Sequence, residues 1–381
     1  MVSRKRVEII LNHKEADRIP IDVGSTEVTS INIHAYKTLR QYWQMEEKEI
    51  YTANIVQQLA SPHEDFLEKI GCDFRPIVAN PPSTWEFKKI DEGDYWAFFD
   101  EWGAKLRMPK KGGFYFDYVE FPLKEPTLDA LKNFKFPDPN DSARIKGLKE
   151  KAKYLYENTD YALVGSCLFG GGVFEQPARI RGMENFLMDL VSNIKFADAL
   201  MEEITQRYIQ MYSNFLDEVG PYLSVVTYWD DVTGQSGPLI SPKIYRKYIK
   251  PKQKRIVEII KKKTSAKVFL HCCGAASFFI PDFIEIGFDI LNPVQVSASN
   301  MDTKKLKKEF GKDIVFWGGI DTQRILPFGK PKDVEEEVKR RIDDLASEGG
   351  YVFGAVHNIQ ANTPPENLHA MFNAFQKWCW Y

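Results

Sequence analysis

Three residues of this chain have the types and the placement to hold a metal ion. The stretch KVFLHCCGAA, Lys267–Ala276, reads as a buried strand that runs into a histidine and two cysteines and then turns at a glycine. In an extended chain alternate side chains share a face, so His271 and Cys273 face one centre while Cys272 points elsewhere. A third ligand must come from another strand, and His357, 86 residues on (357 − 271), ends the apolar run GYVFGAV. Imidazole and thiolate suit zinc, and three protein ligands with one open position is the pattern of catalytic rather than structural zinc sites. An isolated His-x-Cys pair is more often a buried cysteine acting as a small apolar residue. The strand-end placement and His357 turn the balance toward Zn²⁺ here. Cys72, Cys167 and Cys379 are expected to be structural.

Other polar residues stand at the ends of apolar runs: Asp230 and Asp231, Asn292 and Gln295, Asp321, and Asn358. On a parallel barrel these positions converge over one pocket. Acidic residues at a strand end also cap the next helix or hold a neighbouring cation, and Asp230 is open to both readings. Gly170-Gly171-Gly172 is a close-approach loop without the spacing of a nucleotide-binding motif.

The elements that must position these groups alternate along the chain. Eight strand-like runs fall at 18–24, 72–78, 161–167, 223–231, 267–273, 289–295, 313–319 and 350–356. Several are hydrophobic without alternation, as parallel strands buried on both faces are. Between them lie helix patterns, a long one at 186–220 and one at 241–263 that Pro251 should break or kink. The expectation is a single α/β domain over 1–381, a (β/α)8 TIM barrel, with an open doubly wound sheet as the alternative. From Ser83 to Phe121 the rhythm breaks into an aromatic-rich stretch with hairpin turns near 91–94 and 110–113. This predicts an antiparallel β insertion, a satellite core or a cover for an aromatic substrate.

Composition narrows the function. Lys and Arg number 51 against 53 Asp and Glu, a net charge of −2 without long runs of one sign, which argues against nucleic-acid binding. No apolar run is long enough for a membrane span, and the amino terminus reads as an amphipathic helix rather than an export signal. Five cysteines, two of them adjacent, do not make a secreted disulfide framework. A cytoplasmic protein acting on small molecules or proteins is expected.

VFLHCCGAA, DILNPVQ, IVFWGGIDTQRILPFG and GGYVFGAVHNIQANTPPENL resemble the uroporphyrinogen decarboxylase superfamily, from Arg18 to Phe375. The resemblance implies a (β/α)8 barrel and one of two chemistries. The decarboxylases carry an arginine-rich MRQAGRY-like stretch that holds the substrate's carboxylates; here the position reads IDVGSTEVTSINIHAY, without arginine. The zinc-dependent methyltransferases exchange methyl groups with the corrinoid of a small partner protein. Those methylating coenzyme M hold zinc by His-x-Cys and a distant Cys, whose place is taken here by His357. One thiolate fewer makes zinc a stronger Lewis acid, suited to an oxygen leaving group. The resemblance therefore implies a methyl transfer from a methoxylated, aromatic compound to a Co(I) corrinoid protein. Zinc would sit on His271, Cys273 and His357; Asp230 or Asp321 would act as acid; Phe169, Tyr228 and Trp229 would meet the ring, with Asn292, Gln295 and Asn358 in the same pocket. A metal-free decarboxylase using His357 and a methylcobalamin:thiol methyltransferase are the alternatives, and a homodimer is compatible with either.

Overall fold

A computed structural model describes residues 1–167 and 170–381. Seven parallel strands form one sheet: β1 Phe74–Val78, β6 Ala162–Ser166, β7 Val225–Trp229, β8 Lys267–His271, β9 Ile290–Asn292, β10 Val315–Trp317 and β11 Tyr351–Val352, with β2–β5 belonging to the insertion described below. Their order around the sheet is β11-β10-β9-β8-β7-β6-β1. The remaining apolar run joins the two edges. On one side Phe353 N–H donates to Pro20 O at 2.9 Å and Asp22 N–H to Phe353 O at 3.0 Å; on the other, Asp73 N–H donates to Ile21 O at 3.0 Å. The eight predicted runs thus occupy the eight positions of a closed α/β barrel, the first as an irregular segment because Pro20 has no N–H to give to a ladder.

Strand alternation divides the core into two layers. Phe74, Val164, Val225, Phe269, Ile290, Val315, Trp317 and Val352 fill the barrel interior, with Trp317 packed on Phe74 and Phe269. Ile77, Leu163, Val226, Leu270, Leu291, Phe316 and Tyr351 face the surrounding helices. Burial on both faces explains why the runs are apolar throughout. It also fixes which residues point inward where the strands end: Trp229, His271 and Asn292 each lie an even number of residues after an inward neighbour.

The opposite end is plugged by α1 Ser3–Ile10, whose Val7 and Ile10 join the interior cluster. Asp73, fully buried, fastens this plug to the closing segment: it accepts from Arg6 Nη1 at 2.6 Å, Arg18 Nη1 at 2.9 Å and Ile21 N–H at 2.9 Å.

After β6 come α2 Glu175–Arg181, α3 Met183–Ser192 and α4 Ile194–Val219. The long helix pattern is therefore two helices, divided at Asn193, whose φ of −142° leaves the helical region. Pro251 acts as expected. A turn of π-helix over Tyr245–Ile249 precedes α5 Lys250–Lys263, in which Pro251 takes the second position, where its missing N–H costs no hydrogen bond.

The insertion is a four-stranded antiparallel sheet, β2 Ile90–Glu92, β3 Tyr95–Phe99, β4 Lys105–Pro109 and β5 Asp117–Glu120, in sequential order. Phe98, Leu106 and Phe116 form its own small core, ringed by Trp85, Phe87 and Trp96. Most of its aromatics are thereby used in packing. Tyr118 reaches the barrel, its ring centroid 5.7 Å from the Arg179 guanidinium of α2. Among the described residues no helix is long and apolar enough to cross a membrane.

Candidate metal centre at the barrel mouth

His271, the last residue of β8, and Cys273 behind it meet His357, which follows β11. One ligand atom from each lies within 4.8 Å of the others. Cys273 Sγ is 3.2 Å from His271 Nε2, and the two imidazole centroids are 5.2 Å apart. Ligands on a tetrahedral zinc stand roughly 3.3–3.8 Å apart, so the cluster needs to contract by about 1 Å at its widest pair to hold that ion.

The surroundings prepare His271 for ligation. Its Nδ1–H donates to Asn292 Oδ1 at 2.6 Å, and Asn292 Nδ2 donates to Trp317 O at 3.1 Å, which fixes both the amide and the ring. The lone pair is left on Nε2, beside the sulfur. Burial lowers His271 to about 4, so the ring is neutral near pH 7; burial together with His271 lowers His357 to about 3. Asn358 N–H donates to His357 Nδ1 at 2.8 Å, placing that ring's hydrogen on Nε2; a metal bound there would send it to Nδ1 and release Asn358 N–H. Cys273 sits in a fixed loop: its N–H donates to Asp231 Oδ1 at 2.7 Å, Gly274 N–H donates to Gln295 Oε1 at 2.6 Å, and Thr233 Oγ1 donates to Cys273 O. Burial and nearby Asp231 raise the Cys273 thiol well above its ordinary value, so its thiolate needs a cation. Two neutral imidazoles and one such sulfur make a donor set that fits zinc.

Several expected site residues take other places. Asp230 and Tyr228 face the helices rather than the interior. Asp230 is fully buried and accepts from Glu175 N–H at 2.9 Å, Phe174 N–H at 3.1 Å, Gln253 Nε2 at 2.9 Å and Tyr228 Oη at 3.0 Å, so it anchors the start of α2 and has no free lone pair for catalysis. Burial lifts its carboxyl to about 7. Gly172 allows this approach, since a Cβ there would lie 2.4 Å from Tyr228 Oη. Asp321 Oδ1 caps its own turn, accepting from Gln323 N–H and Arg324 N–H at 2.7 and 3.0 Å. Asn358 is consumed by Ser30 N–H, Glu27 O and Gln57 Oε1. Asn292 holds the His271 ring, and Gln295 holds the loop at Gly274. Trp229 does face inward, in register with His271. Phe169 lies outside the described residues.

The fold brings three further groups here: Asp231, a strand-end candidate that has no role in the sequence reading, and Glu175 and Arg179, which sequence reasoning passed over. Asp231 Oδ1 is 4.0 Å from His271 Nε2, and burial with Glu175 raises its carboxyl. Glu175 lies close enough to act electrostatically on His271, Asp231 and Cys273. Arg179 donates to Glu175 at 2.5 Å. Strand alternation signals Asp231, two residues after inward Trp229; nothing in the spacing of Glu175 or Arg179 does.

A closed parallel barrel with polar groups gathered where its strands end is the framework of a TIM-barrel enzyme. The chain belongs to the uroporphyrinogen decarboxylase family, whose model, Uroporphyrinogen decarboxylase (URO-D), matches residues 94–378. A uroporphyrinogen decarboxylase of Prochlorococcus marinus is 23% identical over 266 residues, 68% of this chain and 71% of that protein. The methylcobamide:CoM methyltransferase MtbA of Methanosarcina mazei is 26% identical over 249 residues, 64% of this chain and 66% of that protein. A solved methyltransferase from Methanosarcina mazei covers 99% of both chains with a TM-score of 0.63 at 15% identity, a likeness of fold.

Proposed function

We propose that the protein is a zinc-dependent methyltransferase that moves a methyl group from a methoxylated aromatic compound to the Co(I) corrinoid of a separate small protein. The observation that carries this reading is the convergence of His271, Cys273 and His357, with His271 held by Asn292. Zinc on these three residues would supply Lewis-acid stabilisation of the departing oxygen. The chain's own groups do the rest. Trp229, beside His271 on the inward face, offers its ring to the donor's ring. Asp231, 4.0 Å from His271 Nε2, would give the leaving oxygen a proton in place of Asp230 or Asp321. The C–O bond breaks, its electrons and that proton stay with the aryl oxygen, and the methyl carbon passes to cobalt.

Charge weighs against decarboxylation of a substrate with many carboxylates. Around the triad stand Glu175 and Asp231, and the neighbouring Arg179 is already paired with Glu175. A second reading, transfer from a methylcobamide to a thiol, is favoured by the relative from Methanosarcina mazei, whose name states that activity.

The test is the purified, metal-analysed protein with a Co(I) corrinoid protein and a panel of methoxyphenols and methoxybenzoates, followed by methyl-cobalt absorbance. Transfer should occur with wild type, stop on chelation, return with zinc and be absent in His271→Ala. Full activity in protein stripped of metal would sink the proposal, and methyl loss from methylcobalamin to a thiol alone would select the second reading.

A further inference from the structure

Trp229 presents a polar group at the mouth that lacks a partner among the described residues. Trp229 is 6% exposed, and its buried Nε1 has no hydrogen-bond partner among the described residues. It is paired in register with His271, so the two side chains leave adjacent strands on the same face. The polar groups around it are satisfied: His271 Nδ1 by Asn292, Asn292 Nδ2 by Trp317 O, and Thr227 Oγ1 by Ser166 Oγ at 2.8 Å. Trp102 and Trp317 also have unpartnered Nε1 atoms, but Trp102 packs in the outer core against Phe136 and Tyr208, and Trp317 faces the Asp22 carboxyl. A buried N–H left unpaired is costly, and one aimed into a site is met by a ligand's acceptor.

Charge supplies the second constraint. Glu175 and Asp231 stand beside the triad, and Glu27, after the first barrel segment, lies within the field of the same Arg179 that Glu175 holds. Asn358, next to His357, donates to Glu27 O at 2.8 Å, which keeps this loop at the mouth. Glu175 thus engages this guanidinium directly, and Glu27, Asp100 and Asp231 lie within its field. A carboxylated donor would bring a further anion beside these carboxyl groups, where the neighbouring Arg179 is already paired with Glu175.

Resting on the methyl-transfer reading above, we propose that the donor is an uncharged phenolic methyl ether whose oxygen accepts from Trp229 Nε1, and that methoxybenzoates are excluded. Trp229 is then a specificity residue, and Glu175 excludes anions by occupying Arg179.

Isothermal titration of the zinc-loaded protein with 2-methoxyphenol and with 4-methoxybenzoate, in the absence of any corrinoid protein, reads binding apart from transfer. The wild type should bind 2-methoxyphenol at least tenfold more tightly. Trp229→Phe, which keeps a ring and removes the N–H, should weaken that binding about tenfold with zinc content unchanged. Glu175→Gln frees Arg179 and should raise 4-methoxybenzoate affinity at least tenfold. Equal affinity for the two probes, no binding of either, wild-type affinity in Trp229→Phe, or no gain in Glu175→Gln would each overturn the proposal. Selective binding in a protein that transfers no methyl group would sink the transfer reading alone. Transfer from a methoxybenzoate as readily as from a methoxyphenol would sink the selectivity alone.

Discussion

Removing the amide of Asn292 tests whether the triad is a built metal site or three side chains that happen to meet. Asn292 is fully buried and makes two bonds: it accepts His271 Nδ1–H at 2.6 Å and donates to Trp317 O at 3.1 Å. In Asn292→Ala the imidazole loses the acceptor that fixes its tautomer, so its hydrogen can sit on Nε2 and block the ligating lone pair. Outer partners of histidine ligands change metal affinity by about 10- to 100-fold. That range corresponds to about 1.4 to 2.7 kcal/mol. Asn292→Asp keeps the acceptor and adds negative charge, so its affinity should match or exceed the wild type's. The assay is zinc competition with a chromophoric chelator at pH 7, with thermal unfolding of the metal-free proteins as a folding control, because both substitutions disturb the bond to Trp317 O. Wild-type affinity in folded Asn292→Ala would refute the reasoning. So would an Asn292→Asp protein as weak as the alanine variant, which would mean that burial alone, not the hydrogen bond, sets the site.

Three further outcomes follow from the fold. Burial holds Asp22 at about 6 against an ordinary 3.8, so its proton is bound more tightly in the folded state by roughly 3 kcal/mol. This contribution is full below pH 4 and is lost as pH rises through 6; denaturant titrations at pH 4.5 and 7.5 should show Asp22→Asn losing less stability than wild type over that interval. Asp73→Ala removes the acceptor shared by buried Arg6, half-buried Arg18 and Ile21 N–H, while Arg6 keeps Asp17, and should cost about 1–3 kcal/mol, read by urea unfolding, whereas a loss under about 1 kcal/mol would mean that Asp17 and water take its place. Gly172→Ala places a Cβ 2.4 Å from Tyr228 Oη and 2.5 Å from Asp230 Cγ, and should cost about 1–3 kcal/mol; an unchanged melting temperature would show the loop free to move aside.

How much of this was legible in the sequence depends on which force wrote each feature. The strands of the barrel were readable because burial on both faces demands unbroken apolar runs, and the metal-type cluster because His271 and Cys273 obey the two-residue period of a strand. The same period contained a signal that was passed over. Val225 and Trp229 face inward, so Asp231 continues their side and Asp230 cannot; two adjacent aspartates look alike only until one residue of the strand is assigned a face. The pairing of His271 with Asn292 was not readable, since it depends on parallel register between β8 and β9. Glu175 and Arg179 were further still from view. They are helix residues whose nearness to the triad comes from the loop at Gly170–Gly172 and from Asp230 anchoring the start of α2. The corrected role of Asp230 therefore bears on specificity: a residue that touches no substrate sets where α2 begins, and so where the carboxyl and guanidinium that sort donors by charge must stand.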